Sequence, residues 1–227
     1  MNPESSVRRA QIYGFLSAAF LYPQEAWAED LPALGDVLAE CGVSTERPLP
    51  LALSLPDLQE RYRQSFGVAG SLCYETEYGL PHEFRQSQEL ADLTGFYRAF
   101  GFDLGADVRE RPDHIAVELE FMHILTLKET YALMGGKTEE AVICQEAQAS
   151  FLADHLAHWL PLFAQSLLRN GGVDPYLTLA RMTQVFVEAE VAALQVETDV
   201  LPLHAVQHTP FDPDFNCADC ALANTMA

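Results

Sequence analysis

Glu110-Arg111-Pro112-Asp113-His114-Ile115-Ala116-Val117-Glu118-Leu119-Glu120-Phe121-Met122 reads as the opening of a helix. Ile115, Leu119 and Met122 recur at three- and four-residue spacing, which places them on one apolar face. Pro112 has no N–H to leave unsatisfied and a φ suited to a first helical turn. Asp113 suits the positive end of the helix, as its cap or in its first turn. Glu118 follows His114 by four positions and is expected on the same face. The stretch therefore predicts a charged cluster of Asp113, His114 and Glu118 at the mouth of a rigid element, able to cap, to bind or to catalyse.

The same periodicity extends along the chain. Helices are expected at about 5–22, stopped by Pro23, and at about 31–41, ended by Gly42. Pro56-Asp57 begins another, carrying Leu58, Tyr62 and Phe66 and ended by glycines 67 and 70. Residues 71–82 form an irregular loop, and a helix near 83–100 closes at Gly101. The Asp113 helix runs to about Met134 and ends at Gly135-Gly136. A long helix, about 138–169, carries Phe151, Leu152, Leu156, Trp159, Phe163 and Leu167, with a bend expected at Pro161. Asp174-Pro175 opens a last helix reaching about Glu197. Strand-like alternation is nearly absent. The fold class is all-α: a single-domain bundle of six to eight helices over 1–199, with an irregular tail at 200–227.

Composition narrows the function. The chain has 227 residues, 49% of them hydrophobic, so a substantial core is available. Its 13 basic and 33 acidic residues give a net charge of −20. Nucleic acid and anionic membrane surfaces are disfavoured as partners, because both need clustered Lys and Arg. An acidic field favours a cationic ligand. No apolar run reaches the length of a membrane span. Five scattered cysteines fit reduced thiols in the cytoplasm rather than a disulfide framework. Ser6-Val7-Arg8-Arg9-Ala10 looks like an export leader, but Tyr13, Ser17 and Tyr22 interrupt its apolar run, and a first amphipathic helix explains it better.

Other constellations carry competing readings. In 71–79, Tyr74, Glu75, Glu77 and Tyr78 combine rings and carboxylates, a set that suits an arginine-bearing peptide or equally a surface loop packed on the core. His155 and His158 lie beside Leu156 and Trp159, the pattern of histidines bordering a core. His204, His208, Cys217 and Cys220 follow the pattern H-x3-H-x8-C-x2-C, in which two spacings match zinc ligand pairs. Such a zinc site would clip the tail, and a metal-binding regulatory or storage protein is the rival function. His123 lies nine residues after His114, so the two do not form the familiar zinc helix. No nucleophile elbow, P-loop or dinucleotide fingerprint is present, and no catalytic residues are assigned.

Taken together, Tyr74-Glu75-Thr76-Glu77-Tyr78, Gln88 to Leu93 with Gly95 to Gly101, and Pro112-Asp113-His114-Ile115-Ala116-Val117-Glu118-Leu119 resemble the redox-enzyme maturation chaperones that include TorD, DmsD and NarJ. Phe151-Leu152, His155-Leu156, Trp159, Pro161 and Phe163 resemble the family's long-helix pattern. The likeness runs from about residue 8 to 198. It implies an all-helical, non-enzymatic cytoplasmic chaperone, monomeric or dimerised by domain exchange and requiring no cofactor. Its partner would be the catalytic subunit of a molybdopterin-containing oxidoreductase, bound by its twin-arginine leader or tail while cofactor is inserted and export delayed. By this resemblance Asp113 and His114 match the functional acid–imidazole pair, and Tyr74 to Tyr78 part of a peptide groove. The family's Glu-Pro-x-Asp-His spelling differs here, because Arg111 separates Glu110 from Pro112.

Overall fold

Apolar spacing and caps together set the boundaries of eight α-helices in the computed structural model, which describes residues 2–44, 48, 51–67, 73–78, 85–103 and 110–198. They are α1 Pro3–Phe20, α2 Leu31–Glu40, α3 Leu55–Phe66, α4 Arg85–Ala99, α5 Ile115–Met134, α6 Thr138–Phe151, α7 Ala157–Arg169 and α8 Tyr176–Ala193. Asn2 caps α1 by accepting the Ser5 N–H at 2.8 Å, and Ser54 caps α3. Asp174 accepts from the Thr178 N–H and hydroxyl at the start of α8. The all-α expectation holds: among the described residues the β structure is one isolated bridge, Tyr74 with His114. The candidate zinc ligands His204, His208, Cys217 and Cys220, like Gly70, lie outside the described residues.

The long helix expected over 138–169 is a continuous rod, but its irregularity precedes Pro161. Residues Leu152–Leu156 form a wide π-turn joining α6 to α7. A π-turn accommodates one extra residue in a helix and reorients the side chains beside it. Here those side chains are His155 and, one turn on, Trp159.

α1 packs along α5, and α5 and α6 form a hairpin. The approach of α1 to α5 needs Gly14, where an added Cβ would lie 3.1 Å from the His123 ring. His123 Nδ1 in turn sits 2.7 Å from the Ala10 carbonyl oxygen. Tyr13, Phe20, Phe121, Phe151, Trp159, Phe163, Tyr176 and Phe186 are fully buried in one continuous core. Among the described residues no helix is long and apolar enough to cross a membrane.

A buried polar knot crosses this core. Arg9, in the segment resembling a leader, lies within α1, as the helix reading requires. Its guanidinium pairs with Glu190 of α8 at 2.6 Å and Glu129 of α5 at 3.0 Å, and it also donates to Gln148 of α6. Ser6, Tyr13, Gln145 and the Gln148 amide also donate to the two carboxylates. Burial alone would favour the neutral form of Arg9, but the Glu190 contacts outweigh it and hold the guanidinium charged. Burial is outweighed at Glu129 too, where Gln148, Gln145 and Arg9 keep the carboxyl below its ordinary range.

Candidate functional site

Two short backbone segments meet at the start of α5. The Glu75 N–H donates to the Asp113 carbonyl at 2.9 Å, and the Ile115 N–H donates to the Cys73 carbonyl at 2.8 Å. This pairing fixes the Tyr74–Tyr78 segment against residues 113–115. The sequence-predicted residues Tyr74, Glu75, Glu77, Tyr78, Asp113, His114 and Glu118 are thereby gathered around one helix entry.

The cap itself differs from expectation. α5 begins at Ile115, and its N-cap is His114, whose Nδ1 accepts the Ala116 N–H at 3.1 Å. Pro112 lies outside the helix and offers its carbonyl to the Tyr97 hydroxyl at 2.7 Å. Asp113, one residue before the cap, turns its carboxylate sideways to Thr76. It accepts the Thr76 hydroxyl at 2.7 Å and the Thr76 N–H at 3.3 Å.

Arg111 completes this contact. Its Nε donates to Asp113 Oδ1 at 2.9 Å and its Nη2 to Oδ2 at 2.7 Å, a bidentate fork. Nη2 also reaches Thr76 Oγ1 at 3.2 Å, and Nη1 lies 3.6 Å from Glu77. The guanidinium carbon stands 4.1 Å from the Tyr74 ring centroid, a cation–π distance. Tyr74 donates its hydroxyl to Glu110 at 2.7 Å and meets the His114 ring edge-on. Burial pushes the His114 imidazole down to about 4, against the pull of Glu110 and Asp113, so it is neutral at physiological pH. With Nδ1 accepting, its proton resides on Nε2, 3.8 Å from Glu110.

A second layer lies beneath. His155 Nδ1, from the π-turn, is 3.2 Å from the Glu75 carboxylate. Burial drives Glu75 up to about 6, although His155 pulls it down. Burial works against the charged imidazole of His155, but Glu75 and then Asp92 outweigh it and raise the group. Each group of the pair thus favours the charged form of the other. His155 Nε2 lies 3.5 Å from Asp92, on the exposed wall of α4, without an aligned hydrogen bond. Asp92, Glu89, Gln88 and Ala91 line an open recess there. Glu118 accepts from the Trp159 indole N–H at 3.1 Å. Burial, then the Glu75 and Asp113 charges, push Glu118 well above the ordinary carboxylate range and favour its protonated form.

The shared helix face of His114 and Glu118 therefore serves two sets of partners: His114 turns to Tyr74 and Glu110, Glu118 to Trp159. Asp113, His114, Glu118, Glu75, Glu77 and Tyr78 are all at most 5% exposed, and Tyr74 and Arg111 form the accessible rim. The charged cluster expected at the helix mouth is closed by a guanidinium of the chain itself. Sequence reasoning missed Arg111 as a member, although its place between Glu110 and Pro112 was the available signal. His155 does border the core, against Phe96 and Phe151, and is in addition the ion partner of Glu75, a role sequence reasoning missed. Among the described residues no three His, Cys, Asp or Glu side chains are arranged to hold a metal.

Comparisons with known proteins converge on one group. The model of the family described as nitrate reductase delta subunit matches residues 23–165. The perchlorate reductase assembly chaperone protein of Dechloromonas aromatica is 35% identical over 213 residues, covering 86% of this chain and 93% of the relative. The chlorate reductase assembly chaperone protein of Ideonella dechloratans is 34% identical, covering 70% of this chain and 77% of the relative. Chaperone protein TorD of Vibrio cholerae is 23% identical over 81% of this chain and 90% of the relative. A family model matching residues 23–165 and a relative 35% identical over 86% of the chain show that the chain belongs to the nitrate reductase delta subunit family, the TorD/DmsD/NarJ group of chaperones.

Proposed function

We propose that this protein is a non-enzymatic assembly chaperone for the catalytic subunit of a molybdopterin-containing oxidoreductase. It acts in the cytoplasm and needs no cofactor of its own, as a monomer or a domain-exchanged dimer. It holds the subunit's arginine-bearing leader or tail, keeping the subunit competent for cofactor insertion and delaying export. The relatives named as perchlorate, chlorate and selenate reductase assembly chaperones support the class of client. The contact surface we assign is the entry of α5: Tyr74, Glu77 and Asp113 meet the client's guanidinium, with Glu75, Tyr78, His114 and Glu118 as the packed floor.

One observation carries the site assignment. The cluster already seats a guanidinium, with a carboxylate fork on its edge and an aromatic ring on its face. That is the recognition chemistry an arginine side chain requires. The net charge of −20 adds long-range attraction for a basic segment.

The test is calorimetric titration of the full chain with an amidated peptide bearing two adjacent arginines followed by leucines. A charged hydrogen bond contributes about 1.5–3 kcal/mol. The double variant Glu75→Gln, Asp113→Asn is therefore expected to bind at least about tenfold more weakly. Unchanged affinity in that variant removes the site. Affinity purification from the native host is expected to bring down an oxidoreductase catalytic subunit, and its absence from the captured proteins removes the role.

A further inference from the structure

The geometry points to Arg111 as an internal occupant of the α5-entry nest, exchanging there with an arginine of the incoming polypeptide. This inference rests on the proposed function and adds to it how a filled, buried site accepts a ligand.

The nest is complete for one guanidinium. Asp113 offers both carboxylate oxygens, Thr76 its hydroxyl, Glu77 a second carboxylate at 3.6 Å, and Tyr74 its ring face at 4.1 Å. These are the edge and face contacts of a planar fork, and a point-like ammonium satisfies only part of them. The occupant also lies on the accessible rim. The Arg111 side chain is 24% exposed, whereas the Asp113 side chain is wholly buried. Arg111 can therefore swing into solvent without unpacking the core.

Its departure alone would strand a buried carboxylate, an outcome costly enough to keep the nest shut in the absence of ligand. Arrival of a second guanidinium removes that cost, because the same hydrogen bonds and the same charge balance are restored. The exchange is like for like, so its net free energy is set by the flanking contacts of the incoming chain. A tethered competitor also lowers apparent affinity through its high effective concentration. Arg111 thus makes the site selective: a polypeptide must bring both an arginine and an apolar neighbourhood to displace it.

Four forms of the full chain test this: the native protein, Arg111→Ala, Arg111→Lys, and Arg111→Ala with Asp113→Asn. Methylguanidinium at millimolar concentration is expected to raise the thermal midpoint of Arg111→Ala, with equimolar methylammonium giving no rise. The native chain and the double variant are expected to respond to neither. In calorimetry with the two-arginine peptide, Arg111→Ala is expected to bind at least about tenfold tighter than native. Equal or weaker binding by Arg111→Ala, with the native chain still binding, overturns the exchange and leaves the proposed function standing. Failure of every form to bind peptide removes both.

Should Arg111→Ala not fold, Arg111→Lys gives the same reading, since it keeps the charge but loses the fork. In the native chain, the Arg111 Nε–H resonance is expected to pass from slow to fast exchange with solvent when peptide saturates. A resonance that stays protected in the bound state overturns the proposal.

Discussion

His114 shows how a single imidazole is held neutral by its place. Its Nδ1 is committed as a helix cap and its ring is buried, so protonation must break the cap. Its folded value of about 4 lies below the ordinary 6.5. The unfolded chain therefore takes up the proton first, and stability falls as pH drops from 6.5 towards 4, by on the order of 3 kcal/mol. His114→Asn keeps an acceptor for the Ala116 N–H and removes the titration. Urea denaturation across that window is expected to show a flatter acid limb for this variant. Glu75 works in the opposite sense. Its folded value of about 6 exceeds the ordinary 4.5, so its contribution is present below 4.5 and lost as pH rises to 6. Glu118, raised further by burial and by the Glu75 and Asp113 charges, gives a cleaner test. Glu118→Gln mimics the protonated carboxyl, so it is expected to leave stability unchanged near pH 4 and to increase it at pH 7.5. At this scale the sequence was half legible. The types and spacing of Asp113, His114 and Glu118 marked a helix entry, yet which residue caps it depends on a backbone bridge to Tyr74, forty positions away in the chain.

Between helices, a buried polar cluster joins elements that the apolar stripes pack together. Arg9 of α1 joins Glu129 of α5 and Glu190 of α8 inside the core. Truncating one partner of a buried ion group leaves the others uncompensated, typically at about 3–5 kcal/mol. Arg9→Ala is expected to lose that much in guanidinium unfolding, whereas Arg9→Met with Glu129→Gln and Glu190→Gln is expected to recover most of it. A triple variant no more stable than Arg9→Ala would show that the knot contributes more than charge balance. The π-turn at Leu152–Leu156 gives a second test. Deleting Ala153 returns the rod to ordinary helix without rotating α6 against α7, since the wide turn absorbs one residue. The chain is expected to fold, with His155 displaced from Glu75 and titrating closer to the ordinary imidazole value by NMR. Helix number and limits were readable from periodicity, glycines and prolines. The π-turn was not, because Pro161 is the visible irregularity and nothing local distinguishes 152–156 from its surroundings. Arg9 was equally hidden: a cation on a helix reads as solvent-facing until the two acids that surround it are brought in by folding.

Across the whole molecule, acidity and closure act together. A net charge of −20 attracts a basic segment over a distance set by ionic strength, while contact at the α5 entry is short-ranged and half-buried. Association rate with the two-arginine peptide is therefore expected to fall steeply from low to high salt, with the dissociation rate changing much less. Equal salt sensitivity of both rates, measured by stopped flow, would place the recognition charges on the surface instead. The overall class was legible from composition and periodicity, since neither depends on which residues meet. The Arg9 knot has one more consequence, felt before the chain is finished. Its acids lie on the fifth and eighth helices, so a nascent protein leaving the ribosome can pair the arginine of its first helix with Glu129 but lacks Glu190 until 190 residues have been made. Native closure is thus a late, near-terminal event of synthesis, and a chain arrested before α8 emerges holds its arginine with one carboxylate of the two that seal it in the finished molecule.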